Sequence, residues 1–124
     1  MSDSIRLSSV TLNCPDPGAL ADFYAALTGG SVTFRHASWA TMIGSGGRID
    51  FQAVDDFVRP NWPDDPAAAR VHFDFLVDDL VATEERAVSA GATRLNFQPN
   101  AAHCLVFADP IGHIFCLTTV DELG

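Results

Sequence analysis

The chain contains no lysine; all seven basic side chains among its 124 residues are arginine. That excludes a lysine Schiff base and a phosphate-loop lysine, whatever the fold. Long apolar runs are missing too, because charge, Gly or Pro interrupts each stretch well short of the roughly 20 apolar residues a membrane helix requires. Positive charge is scarce: the formal net charge of -9 opposes binding to polyanions, where affinity comes mainly from Lys and Arg on phosphates. Nucleic acid and membrane are therefore not expected partners. Cys14, Cys104 and Cys116 form no CxxC pair and no even-numbered framework, which predicts reduced, partly buried thiols and argues against a structural zinc. The opening "MSDSIRLSSV" lacks the basic start and apolar run of a signal peptide, so a cytoplasmic location is expected. No nucleophile elbow and no Ser-His-Asp arrangement is present.

What remains is a chain with 48% hydrophobic residues, enough for one domain, residues 1–124, with a real core. "LSSVTLNC" alternates, with Val10, Leu12 and Cys14 on one face and Ser9, Thr11 and Asn13 on the other, as in a half-buried strand. Asp16 can cap a helix with Pro17 at its first position; Leu20, Phe23 and Leu27 follow at helical spacing, and Gly29 or Gly30 ends it. "SVTFR", "SWATMI" and "RIDFQAV" then read as short strands, with "GSGG" as a hairpin turn.

The same order begins again near residue 71. "VHFDFLV" reads as a strand, Asp78 as a cap, "DLVATEERAVSA" as a helix ended by Gly91, and "TRLNFQ", "HCLVFA" and "HIFCLTTV" as three strands. Two βαβββ modules result, one over about residues 5–54 and one over about 70–120. Between them, about residues 55–69 are rich in Pro and Asp and read as a linker or flap. Two such modules suit an α+β fold with one curved, cup-shaped mixed sheet and helices on its convex face.

Strand alternation then selects the cup face. If Val71, Phe73, Phe75 and Val77 pack under the helix, His72, Asp74 and Leu76 point into the cup; so do Asp50 and Gln52 if Ile49 and Phe51 are core. In the last strand Phe115 and Leu117 belong to the core, leaving Ile114, Cys116 and Thr118 on the cup side. An imidazole beside carboxylates on a partly apolar concave face suits orientation of a small ligand. His36, His103 and His113 sit in or beside turns and are assigned surface roles.

"LNCPDPGALADFYAALTGG", "FQAVDDFVRPNWPDDPAAARVHFDFLVDDL", "SAGATRL" and "VFADPIGHIFCLT", in that order, resemble the vicinal oxygen chelate superfamily, which includes glyoxalase I, extradiol dioxygenases and bleomycin-resistance proteins. The similarity is greatest to its uncharacterised glyoxalase-like subgroup. Asp109-Pro110-Ile111-Gly112 resembles the family's D-P-x-G turn. Metal enzymes of the superfamily take one ligand from each of four strands, and by that resemblance the positions fall on Ser9, Asp50, His72 and Cys116. Serine and cysteine depart from the usual donors, and thiolate suits zinc better than hard cations.

The leading expectation is therefore a small-molecule-binding protein without a complete metal site. Its ligand contacts would come from Ser9, Thr11, Asn13, Trp39, Asp50, Gln52, Trp62, His72, Asp74, Cys116 and Thr118. Its acidity favours a cationic ligand, and Trp39 or Trp62 would supply an aromatic wall. No cofactor is favoured. The alternative is a metal-dependent lyase, isomerase or dioxygenase with His72 as catalytic residue and His72, Asp50 and Cys116 on a divalent ion such as zinc. The resemblance also implies a homodimer.

Overall fold

The computed structural model describes residues 4–119. The remaining residues, including Val120 at the expected end of the last strand, lie outside them. The chain divides into two compact units, Met1–Phe57 and Val58–Gly124, so residues 58–69 of the expected linker group with the second half.

In the first unit the elements are β1 (Val10–Cys14), α1 (Pro17–Thr28), β2 (Ser31–His36), β3 (Trp39–Gly44) and β4 (Gly47–Ala53). The strands form one sheet in the order β1-β4-β3-β2, with β1 parallel to β4 and the other pairs antiparallel. Asp16 caps α1 by accepting a hydrogen bond from the Ala19 amide, with Pro17 at the first helical position. Gly29 ends the helix at φ 77° and donates its N–H to the Ala25 carbonyl at 2.8 Å, a left-handed cap that glycine adopts without a Cβ clash. Leu20, Phe23, Tyr24 and Leu27 are buried on α1, and Leu12, Cys14, Ala40, Met42, Ile49 and Phe51 on the strands. Tyr24 stacks on Phe51 with ring centroids 5.9 Å apart.

The second unit repeats the order. A 3-10 turn (Pro66–Ala69) leads into β5 (Phe73–Leu76), α2 (Leu80–Ala90), β6 (Thr93–Arg94), β7 (Cys104–Ala108) and β8 (Ile114–Thr118). Its sheet has the matching order β5-β8-β7-β6, again with the first and last strands parallel. Each half thus satisfies its ladder within its own four strands. The expected α+β class and repeated βαβββ pattern are present, and the backbone pairing makes two four-stranded mixed sheets rather than one continuous sheet.

Several local expectations shift. The α2 cap is Asp79, not Asp78: its carboxylate accepts from the amides of Val81 and Ala82. β5 begins at Phe73, and Val71 is 65% exposed rather than packed under the helix. β6 stops at Arg94 because a side chain takes over the pairing. The Gln98 amide donates to the Leu95 and Val106 carbonyls at 2.8 Å each and accepts from the Val106 N–H at 2.9 Å, so Asn96–Gln98 need not be a strand.

The turn before β8 is built as its sequence implies. The buried Asp109 carboxylate accepts from the Ile111 and His113 amides, both at 2.9 Å, and Gly112 stands at φ 91°. Arg59 lies over this turn and donates to the Pro110 carbonyl at 3.0 Å. A Cβ on Gly112 would come within 2.8 Å of the Arg59 side chain, so both φ and space require glycine there.

Candidate functional site

In the first half, β4 sends Ile49 and Phe51 to the core under α1 and Asp50 to the opposite face, where the register flanks it with Thr11 and Thr41. Asp50 is only 2% exposed. One carboxylate oxygen accepts from Thr41 Oγ1 at 2.6 Å and from Arg48 Nε at 3.0 Å. The other accepts from Ser9 Oγ at 2.7 Å and from Arg48 Nη2 at 3.0 Å. Burial pushes this carboxyl up, but the hydrogen bonds from Arg48, Thr41 and Ser9, with the arginine charge, outweigh it and hold its pKa below the ordinary value of 3.8. Asp50 is thus a neutralised, hydrogen-bonded ion pair. Asn13, Gln52 and Trp39 follow one row along the same face, Asn13 and Gln52 exposed and Trp39 half-buried.

The second half has a different centre. In β5 the rings of Phe73 and Phe75 face the side of Phe115, with Phe75 and Phe115 edge to face at 5.9 Å, while Asp74 and Leu76 are exposed on the other side. Asp74 sits opposite Cys116, and Leu76 opposite Thr118. His72 lies just before the strand, and its Nε2 is 3.2 Å from Asp74 Oδ1, with side-chain exposures of 42% and 57%. Donor atoms of His72, Asp74 and Cys116 lie within 4.8 Å of one another. The sulfur side is apolar: Val106, Ala108, Ile114 and Cys116 form a buried cluster, against which Trp62, Ala69, Leu95 and Cys104 pack. Burial first, then the adjacent Cys104 thiol and the charge of Asp74, push the Cys116 thiol well above its ordinary range. Unmetallated, it stays protonated and non-nucleophilic.

The candidate residues therefore fall into two sets. Ser9, Thr11, Asn13, Trp39, Asp50 and Gln52 share the first sheet's face away from α1; Trp62, His72, Asp74, Cys116 and Thr118 gather on the second unit's face away from Phe73, Phe75 and Phe115, where Trp62 meets Phe97 edge to face at 5.6 Å. The Asp50 oxygens accept from two hydroxyls and a guanidinium, and Ser9 donates to one of them.

Arg48, Thr41 and Cys104 are the participants that sequence reasoning missed. Arg48 stands two residues before Asp50 on one strand face, the same spacing that draws attention to His72 and Asp74, and was legible by that rule. Thr41 and Cys104 become neighbours only through strand pairing. His113 departs from its expected surface role: its ring packs on Phe73 at 5.4 Å, and its buried Nδ1 has no hydrogen-bond partner among the described residues. Burial lowers its pKa below 6.5, Asp109 pulling it up and His72 adding to the lowering.

A family model described as "Glyoxalase-like domain" matches residues 9–118. No curated protein matches the chain. Among solved structures, a glyoxalase-related enzyme from Fulvimarina pelagi is similar at 22% identity and TM-score 0.67, covering 91% of this chain and 86% of that one. A mutant of the fosfomycin resistance protein FosX from Listeria monocytogenes, complexed with Mn(II) and a dihydroxypropylphosphonic acid, has 17% identity and TM-score 0.69, covering 96% and 91%. A bleomycin resistance determinant encoded on the transposon Tn5 has 20% identity and TM-score 0.59, covering 95% and 100%. Identities this low establish a shared fold and leave the chemistry to the site.

Proposed function

Because the chain belongs to the glyoxalase-like domain family of the vicinal oxygen chelate superfamily, we propose that it binds a small cationic or aromatic molecule on the second half's polar-apolar face, without the superfamily's four-strand metal set. The observation that carries this reading is the exposed His72–Asp74 pair, 3.2 Å apart, standing beside a buried apolar patch on which Trp62 packs. Asp74 would supply charge, His72 a directional hydrogen bond and Trp62 the aromatic wall, a combination suited to a flat cation. The net charge of -9 raises the local concentration of cations near such a face. The fold shared with a bleomycin resistance determinant makes sequestration of a basic drug a concrete instance. We also place the chain in a homodimer, which sedimentation at equilibrium tests directly.

The test uses untagged full chain treated with chelator. Bleomycin and simple aromatic quaternary ammonium compounds should change the tryptophan fluorescence and raise Tm, since a ligand that binds only the folded state stabilises it. Asp74→Asn and His72→Ala should lose both responses. An equal response to anionic aromatics, or undiminished binding by both variants, rules the reading out.

A metal-dependent lyase, isomerase or dioxygenase built on His72 is the second reading. The three close donors His72, Asp74 and Cys116 favour it, and a FosX structure with the same fold holds Mn(II).

A further inference from the structure

Beside the apolar patch of the second unit the chain leaves a phenylalanine half in water. Phe97 is 49% exposed, and its ring meets the half-buried Trp62 edge to face, with centroids 5.6 Å apart and planes at 61°. We propose that Phe97, held in place by Gln98, completes with Trp62 an aromatic corner that selects a cation carried on a flat aromatic ring over a compact aliphatic one. This rests on the ligand-binding reading above and narrows its ligand class from cationic or aromatic molecules to aromatic cations.

Three features carry the inference. First, the backbone on either side of Phe97 is pinned. Leu95 donates its N–H to the Val106 carbonyl at 3.1 Å, and the Gln98 amide donates to the Leu95 and Val106 carbonyls at 2.8 Å each and accepts from the Val106 N–H at 2.9 Å. The ring between them is thus offered from a braced segment, which lowers the ordering cost of binding. Second, Trp62 is fixed from the other side. It packs against the cluster of Val106, Ala108, Ile114 and Cys116, and three residues earlier Arg59 donates to the Pro110 carbonyl at 3.0 Å. Third, the charge partner borders the same patch. Cys116 belongs to the cluster beneath Trp62, and its sulfur lies within 4.8 Å of donor atoms of His72 and Asp74. A ligand ring can stack on one ring of a tilted pair and meet the other edge-on, and both ring faces attract a cation. An aliphatic ammonium would satisfy the carboxylate alone, whereas an aryl ammonium would also cover the part of Phe97 now in water.

The test compares phenyltrimethylammonium with tetramethylammonium, which share a head group and differ by one ring, by calorimetric titration of untagged full chain treated with chelator. Wild type should bind the aryl cation about 10-fold more tightly than the alkyl one. Phe97→Ala and Phe97→Leu should each cut that ratio by about 5-fold and leave the tetramethylammonium affinity unchanged, while Phe97→Tyr should keep the ratio. Gln98→Ala should lower the ratio as Phe97→Ala does, and both should weaken the near-ultraviolet circular dichroism of the Trp62–Phe97 contact. Asp74→Asn should weaken both cations alike. A ratio unchanged in Phe97→Ala, an equal fall for both cations in that variant, or a ratio kept by Phe97→Leu overturns the proposal. If Asp74→Asn loses binding while Phe97→Ala keeps the ratio, the aromatic corner falls and the ligand reading stands. If Asp74→Asn binds undiminished while Phe97→Ala loses the ratio, the corner stands and the polar half of that reading falls. Binding of neither cation by wild type removes both.

Discussion

The two halves share an order of elements and a sheet topology, and they treat an acidic residue on the face away from their cores in opposite ways. In the first half Asp50 is enclosed: Arg48 balances its charge, and Thr41 and Ser9 fill its remaining lone pairs. In the second half Asp74 is exposed and its partner is His72, beside a protonated buried thiol. The helices differ in parallel. Six residues of α1 are buried, whereas α2 buries only Ala87 and leaves Val88 half exposed. One topology therefore serves as closed scaffold in one copy and as an accessible polar face in the other. A backbone repeat fixes where side chains point; whether a carboxylate is available depends on the cation placed two residues away.

The sharpest way to break this comparison is through the helices. Leu20→Ala, which removes a side chain only 2% exposed, should cost about 2–5 kcal/mol by denaturant unfolding. Val88→Ala, at 50% exposure, should cost under about 1 kcal/mol. Equal losses would mean that α2 is covered by something that its exposure conceals.

Next in size is the pair of carboxylates. Asp50→Ala should destabilise by about 3 kcal/mol, toward the lower end for a broken buried ion pair because Arg48 keeps access to water. Asp74→Asn should change stability by no more than about 0.5 kcal/mol. Chemical denaturation of the two variants in one buffer checks both, and a large loss from Asp74→Asn would make it a structural residue like Asp50.

The smallest expected effect is a difference in acid response. Burial lowers the pKa of His113, so the unfolded chain takes up its proton first; that half loses stability as pH falls below 6.5, down to the folded-state value. Asp50 is held below 3.8, so its contribution is present above that value and is lost only as pH falls through its lower folded-state pKa. Stability measured at closely spaced pH values should decline in the first window for wild type and flatten there in His113→Gln. The low-pH decline should persist in His113→Gln.

Most of the architecture was legible because alternation and capping are local. Asp16-Pro17 starts a helix, Gly29 ends one, and Ile49 and Phe51 go inward while Asp50 goes outward; each follows from neighbouring residues alone. His72 and Asp74 were likewise readable as a pair on one face. Less legible was anything set by a competitor for the same hydrogen bonds. Asp79 rather than Asp78 caps α2 because its carboxylate reaches the Val81 and Ala82 amides. β6 ends early because Gln98 imitates a strand partner. Whether Asp50 is a ligand or a closed ion pair was not readable either, since Thr41 and Ser9 lie 9 and 41 residues away in sequence.

By itself the sequence determined the doubled βαβββ pattern, both ends of α1, and the side of each strand on which a residue stands, because these depend on backbone geometry over a few residues. Tertiary structure alone decided that Asp50 meets Thr41 and Ser9, that Cys116 lies opposite Asp74 with Cys104 beside its sulfur, and that Trp62 rests on the apolar patch. Those contacts come from strand register and loop packing, and their effects on charge and burial depend on distances of a few ångströms between residues far apart along the chain.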